Sequence, residues 1–345
     1  MNEHGPPGPD TPAAESTPAA SPDSAAASLS VRDLRVSFVQ DLGIAHAVRG
    51  VSFDVPRQRS LGIVGESGCG KSVTALSIMR LIPRPPGDIR GGSILFNGHD
   101  LLKLPEHGMR ALRGKALSMI FQDPMTSLNP VFSCGSQIEE VLTLHKGMTR
   151  DQAREYAVEM LARVGIPSPR QAARSFPHQM SGGMRQRVMI AMALCCEPQL
   201  LIADEPTTAL DVTVQARILD LLLHLQQSME MSMIMITHDL GIVADVSHDV
   251  LVMYAGEAAE NAAVRELFDN PLHPYTRGLL ETIPYVDRKR TSLKVIRGEV
   301  PNPVRIPEGC PFHPRCDRVM ERCRNEHPAV YEPSPGHHVR CFLYA

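Results

Sequence analysis

The residues most able to do chemistry are Gly65-Glu66-Ser67-Gly68-Cys69-Gly70-Lys71-Ser72, a GxxxxGKS run that leads into Val73. Such a run folds as a loop whose backbone N–H groups surround a nucleoside polyphosphate. The glycines permit close backbone approach, and the following helix start adds a dipole that favours anions. Lys71 brings a point charge to the β- and γ-phosphates, and Ser72 is placed to hold Mg²⁺. A second group, Asp204-Glu205, ends the apolar run Leu200-Leu201-Ile202-Ala203. A strand with that ending puts two carboxylates at its C-terminal end, facing the phosphates. We assign Asp204 to Mg²⁺, directly or through water, and Glu205 to the attacking water as general base.

Met180-Ser181-Gly182-Gly183-Met184-Arg185-Gln186-Arg187 opens a helix, with Ser181 as its cap and two glycines leaving the amides unobstructed. One nucleotide does not need two anion-binding loops. This suggests that each serves a different nucleotide across a dimer interface, Ser181, Gly182 and Gly183 forming the second loop.

These groups need a frame. Leu61 to Val64 reads as a short buried strand before the phosphate loop, and Val73 to Leu81 as the helix after it. Further apolar runs at Ala116 to Phe121, Leu200 to Ala203, Met233 to Thr237 and Val250 to Met253 mark buried strands. Helical stretches at Val214 to Ser228 and Leu240 to Val246 separate them, which implies a parallel sheet covered on both faces. Alternating patterns at Val31 to Phe38, Val51 to Val55 and Ser93 to Phe96 predict an antiparallel layer beside the loop. Between Asp123 and Met180 the sequence turns polar and helix-prone, including Asp151 to Val164, and reads as a helical subdomain about 123–180. From about Pro284 it is rich in Pro, charge and Cys, a separate tail with a hinge helix at Tyr275 to Thr282. The division expected is a Pro/Ala-rich disordered segment 1–28, a main domain 29–283 and an extension 284–345.

With 345 residues and 43% hydrophobic content, a sizeable core is available. The net charge of -3 and pI of about 6.5 argue against a nucleic-acid partner. The longest apolar stretch, Val188 to Cys196, is far short of the roughly 18 residues of a membrane span. Residues 1–28 hold six Pro and seven Ala without Lys or Arg, unlike a signal peptide, so a cytosolic location is expected. Cys69, Cys134, Cys195 and Cys196 are scattered and read as small buried hydrophobes or incidental thiols. Cys310, Cys316, Cys323 and Cys341 cluster with spacing Cys-x5-Cys-x6-Cys-x17-Cys, four soft donors able to hold a metal. His313, His327, His337 and His338 nearby read as solvated rather than as ligands.

The chain resembles the ATP-binding cassette family from about Leu34 to its C-terminus: Ser181 to Arg187 matches the family's signature, and Gln122, Leu210-Asp211 and His238 match its other motifs. The resemblance implies a P-loop NTPase fold, a RecA-like parallel core with an antiparallel β subdomain and a helical subdomain. It implies a head-to-tail dimer with ATP between one phosphate loop and the partner's signature loop. Gln122 would sense the γ-phosphate and Mg²⁺, His238 would contact the γ-phosphate, Asp211 would communicate across the dimer, and Phe38 would stack on adenine. The interval from Gln122 to Ser181 is only 59 positions, and the chain has one cassette. Neither fits the chromosomal type, which is split by a long coiled coil, or the ribosomal type, which is tandem.

A narrower resemblance, to ATPases of the oligopeptide/dipeptide importers, rests on Asn270-Pro271-Leu272-His273-Pro274-Tyr275-Thr276-Arg277-Gly278-Leu279-Leu280. Phe121-Gln122-Asp123-Pro124-Met125-Thr126-Ser127-Leu128-Asn129-Pro130 and Gly309-Cys310-Pro311-Phe312-His313-Pro314-Arg315-Cys316 also fit that subgroup. Met180 stands where the signature has Leu, and Glu257 and Ala262 where the pattern has a basic residue and Gly. The resemblance implies an ATPase on the cytoplasmic side of the membrane, with a second, non-identical ATPase subunit, two transmembrane permeases and an extracytoplasmic solute-binding protein. The cargo it implies is oligopeptides or dipeptides, with nickel or another small solute as alternatives. For the four terminal cysteines it suggests a 4Fe-4S cluster; Zn²⁺ or unligated thiols are the other chemical options.

Overall fold

The computed structural model describes residues 27–123, 127–208, 210–282 and 296–345. Two sheets form its frame. In the first, β1 (Ala27–Gln40), β2 (Gly43–Pro56), β4 (Gly87–Phe96) and β5 (His99–Asp100) pair antiparallel in the order β2-β1-β4-β5. Alternation along β1 points Leu29, Val31, Leu34 and Val36 inward, which is why this layer was readable as half-buried strands.

The second sheet carries the chemistry. Its parallel part is β9 (Asp249–Tyr254), β3 (Ser60–Val64), β8 (Ser232–Thr237), β7 (Leu200–Asp204) and β6 (Leu117–Ile120), in that order. All residues of β3, β7 and β8 are buried, as expected of strands covered on both faces. Helices α1 (Lys71–Ile78), α2 (Glu106–Leu112), α3 (Cys134–Lys146), α4 (Arg150–Arg163), α5 (Pro169–Arg174), α6 (Gly182–Leu194), α7 (Val212–Ser228), α8 (Leu240–Val246), α9 (Val264–Asp269) and α10 (Pro274–Thr282) follow. One core lies between the antiparallel layer and the main sheet, joining Leu29, Phe53 and Ile94 to Ile63, Ile202 and Ile236. A second runs from Ile138, Leu142, Ala157 and Leu161 through Ile190 of α6 to Leu201 and Met233. The helical segment is thereby packed onto the sheet through α6, the helix that Ser181 caps.

The expectation of a tail separate from the cassette needs correction. Strand β10 (Glu257–Ala263) pairs with β9, and β12 (His337–Val339) of the extension pairs antiparallel with β10, followed by β11 (Tyr331–Ser334). The extension continues the main sheet, and a third core unites its Phe312 with Tyr254, Leu267 and Tyr275. The physical cause is an edge: β10 has unpaired N–H and C=O groups that the extension satisfies. The expected boundary near Pro284, nearly all of segment 1–28, and Pro124, Met125 and Thr126 lie outside the described residues.

One more expectation changes. His337 is not solvated but fully buried, with Nε2 2.8 Å from Glu260 Oε1. Glu257 is buried as well, ringed by Arg49, His327 and Arg340. An acid at that position meets cations from β2 and from the extension.

Candidate functional site

The phosphate loop leaves the C-terminal end of β3 and enters α1. Gly65 (φ +154°) and Gly70 (φ +104°) are needed there: a Cβ on either would collide with the carbonyl oxygen of Met253 or Ala47. Lys71 is buried, and its Nζ donates to the carbonyls of Gly65 (2.7 Å) and Glu66 (3.1 Å). The ammonium is thus held at the centre of the loop it closes. One residue on, Ser72 Oγ donates to Asp204 Oδ1 at 3.1 Å, so two of the three expected Mg²⁺ residues meet although 132 positions separate them. Burial pushes the Asp204 carboxyl above its ordinary range, the Ser72 hydrogen bond opposes that, and the charge of Glu205 adds to it. A divalent cation would supply counter-charge to such a group.

Glu205 follows Asp204 with φ +46°, a left-handed conformation rare for a non-glycine residue. Its backbone N–H donates to Ile236 O of β8 at 2.9 Å, which fixes the turn. Three side chains converge on its carboxylate: Gln122 Nε2 at 2.9 Å, Thr208 Oγ1 at 2.9 Å and His238 Nδ1 at 3.3 Å. Burial works to raise its pKa, but the hydrogen bonds from Thr208 and His238 outweigh that and hold it below the ordinary value. A carboxylate that is ionised, oriented and adjacent to a buried acid can accept a proton from a bound water. Gln122, Glu205 and His238 come from the ends of three parallel strands, β6, β7 and β8. Thr208 was missed; its only sequence signal is its place three residues after the acid pair.

Ser181, Gly182, Gly183 and Asp211 form a second group. The Ser181 hydroxyl caps α6 by accepting from Met184 N–H (3.3 Å), and Asp211 caps α7 by accepting from Val214 N–H (2.9 Å). A Cβ on Gly183 would lie 3.0 Å from Val214, so the two helix starts pack against each other. Phe38 is half-buried at the end of β1, in register with Ala45 and Gly87, two residues along β2 from the Ala47 carbonyl that borders Gly70.

Comparison with known proteins now decides the family. A model described as ABC transporter matches residues 48–208, and one described as oligopeptide/dipeptide transporter, C-terminal region, matches residues 259–323. The oligopeptide transport ATP-binding protein OppD of Salmonella typhimurium is 52% identical over 314 residues, covering 91% of this chain and 93% of the relative. The chain belongs to the ABC transporter ATPases, in their oligopeptide/dipeptide branch. The oligopeptide transport ATP-binding protein AppD of Bacillus subtilis is 49% identical over 92% of this chain and 96% of its own length. Among solved structures, a dimeric ATP-binding cassette, MJ0796, in a post-hydrolysis state bound to ADP and Pi aligns with TM-score 0.62 at 24% identity. It covers 69% of this chain and 99% of that one, a likeness of fold. The cassette cbiO1 of Clostridium perfringens aligns with TM-score 0.59 at 27% identity, over 71% of this chain and 91% of that one.

The cassette's terminal cysteines deserve separate description. Cys310, Cys316, Cys323 and Cys341 line one small cavity together with His273 and Phe312. Burial pushes the Cys310 thiol up to about 12 and that of Cys316 up to about 11. Among the described residues, no group of three or more His, Cys, Asp or Glu stands in a geometry that could hold a metal ion. The four thiols share a cavity without forming a preset ligand shell. Cys69, Cys134, Cys195 and Cys196 are all buried, as read from the sequence. Among the described residues no helix is long and apolar enough to cross a membrane.

Proposed function

We propose that this chain is the ATP-hydrolysing subunit of a membrane importer, powering uptake of oligopeptides or dipeptides through partner permeases. The observation that carries the catalytic part is the convergence of Gln122, Thr208 and His238 on Glu205, beside the Ser72–Asp204 pair. Peptide as cargo follows from the match of residues 259–323 and from relatives named as oligopeptide transport ATP-binding proteins. ATP binds along Gly65 to Val73, with Phe38 against adenine. Mg²⁺, held by Ser72, Asp204 and Gln122, supplies counter-charge to the phosphates. Glu205 takes a proton from the attacking water, His238 contacts the γ-phosphate, and Gln122 carries the state of the site to the helical subdomain.

A second, non-identical cassette completes this chain's nucleotide site with its own signature loop, while Ser181, Gly182 and Gly183 of this chain complete the partner's, Asp211 bridging the two. Closure of the dimer drives two transmembrane permeases from the cytoplasmic side, and an extracytoplasmic binding protein delivers the cargo. For the four terminal cysteines the resemblance suggests a 4Fe-4S centre or Zn²⁺; as they stand they do not fit either, since they share a cavity without a ligand geometry, and their thiols would have to come together and deprotonate before a metal could be held.

Affinity purification of the full-length chain from membranes tests the assembly. Two permeases and a second cassette should co-purify; ribosomes or nucleic acid in their place would remove the transport reading. In the assembled complex Glu205→Gln should retain ATP but lose hydrolysis by on the order of 10² to 10⁴. Near-normal turnover would take Glu205 out of the base role. Iron, sulfide and zinc analysis with an absorbance spectrum decides the cysteine cavity, and a metal-free protein with four reactive thiols would discard the centre.

A further inference from the structure

The two segments that carry the narrower resemblance, Asn270 to Leu280 and Gly309 to Cys316, have no part in the ATP chemistry above. In the fold both reach the same residue of the phosphate loop. Arg315 lies between Cys310 and Cys316 and forks onto Glu66, with Nη1 2.6 Å from Oε2 and Nη2 3.0 Å from Oε1. Its side chain is only 4% exposed, against 32% for Glu66. Tyr275, at the start of α10, accepts the Glu66 backbone N–H on its hydroxyl at 2.9 Å. Lys71 takes the Glu66 carbonyl at 3.1 Å, so the amide, the carbonyl and the carboxylate of one loop residue are all held.

The arms that do this are stiff. Tyr254, Tyr275 and Phe312 pack ring against ring at 4.7, 5.1 and 5.4 Å between centroids, and the Arg315 guanidinium lies 5.7 Å from the Tyr254 ring centre. Arg315 Nε also donates to Arg297 O at 2.9 Å. A bidentate guanidinium with a buried stem is pre-organised, and little side-chain entropy is lost in holding its partner. At the other edge of the nucleotide site, Pro303 O accepts from His46 N–H of β2 at 2.9 Å. The extension thus touches β2 as well as the phosphate loop.

We infer that Arg315, with Tyr275, is a positioning residue for nucleotide binding: it fixes the phosphate loop through Glu66 and neutralises a carboxylate that would otherwise face incoming polyphosphate. Two consequences follow for the chain's residues. The loop's amides keep their arrangement before ATP arrives, so less ordering is needed on binding. Without Arg315, Glu66 becomes a free anion beside the phosphates, and the loss falls on affinity rather than on the chemical step.

The inference rests on Gly65 to Ser72 being the ATP loop, and the test separates the two. Equilibrium binding of a fluorescent ATP analogue with Mg²⁺ is measured on the full-length chain for wild type, Lys71→Ala, Arg315→Ala, Arg315→Lys, Tyr275→Phe, Glu66→Ala and the Glu66→Ala/Arg315→Ala pair. Arg315→Ala should weaken binding about tenfold, Arg315→Lys and Tyr275→Phe less, and the double variant should be no weaker than Arg315→Ala alone. In the assembled complex the KM for ATP should rise about tenfold with kcat within about twofold. Should Arg315→Ala fail to fold, Arg315→Lys and Tyr275→Phe carry the test by the same readouts. Unchanged affinity in the Arg315 and Tyr275 variants, additive losses in the double variant, or a fall in kcat at constant KM would each overturn the inference. Should Lys71→Ala also bind ATP normally, it is the loop reading that fails.

Discussion

Glu205 is the residue on which most of the site's order is spent. A φ of +46° in a non-glycine residue costs on the order of 1–3 kcal/mol, and it persists here because Ile236 O holds the backbone and three side chains hold the carboxylate. Thr208 matters most for protonation, its hydrogen bond being the largest influence that lowers the Glu205 pKa. Thr208→Val keeps the shape and deletes that bond. A hydrogen bond to a charged group is worth about 1.5 kcal/mol at the lower end, so ATPase turnover in the complex should fall about tenfold with ATP affinity unchanged. Turnover within twofold of wild type would show that Gln122 and His238 suffice. Asp204 and Glu205 were legible because they end an apolar run, and Gln122 and His238 only through the family motifs they match; the fold brings the four together because strand ends in a parallel sheet converge. Arg315 was not, because it meets Glu66 from 249 positions away, a distance no local pattern spans.

At the scale of elements, the unit that decides function is β3, its loop and α1. Helix α1 is capped by Gly70 in a left-handed conformation rather than by a side chain, so no capping side chain competes with a ligand for the amides at the helix start. Gly70→Ala should therefore cost at least about 2 kcal/mol of stability, from the positive φ and from the collision with Ala47 O, and abolish detectable ATP binding. Denaturant unfolding and nucleotide titration measure both, and a variant that unfolds within 0.5 kcal/mol of wild type, by the usual threshold for neutral change, would show that β2 can yield there. The parallel strands could be read from sequence because burial on both faces demands unbroken apolar runs. Strands β11 and β12 could not: Tyr331–Ser334 and His337–Val339 are short and mixed, and only the open edge of β10 makes them strands.

For the whole molecule, the join between cassette and extension is a buried polar cluster, and it makes the fold acid-sensitive. Glu260 accepts from the backbone N–H groups of Leu272 and His273 at 2.8 Å each and lies 2.8 Å from His337 Nε2. His273 is itself buried, and its Nδ1 accepts from Tyr275 N–H at 3.0 Å, which requires the neutral ring. Burial lowers its pKa to about 4, well below the ordinary histidine range, with Glu260 opposing the shift. Protons therefore bind the unfolded chain first. The stability that neutral His273 contributes is complete above pH 6.5 and is lost as pH falls from there toward 4, about 3 kcal/mol in all. His337 runs the other way: hydrogen bonding and charge from Glu260 raise its pKa against the effect of burial, so its contribution is full at low pH and lost only as pH rises through the raised value. Below pH 6.5 the His273 effect is thus not masked by its neighbour. His273→Asn keeps an acceptor for Tyr275 N–H without a group that titrates. The variant should lose markedly less stability than wild type between pH 6.5 and 4, by denaturant unfolding of the full-length chain. Equal losses in the two proteins would mean that protons enter elsewhere, and that the cassette and its extension are not joined through this histidine.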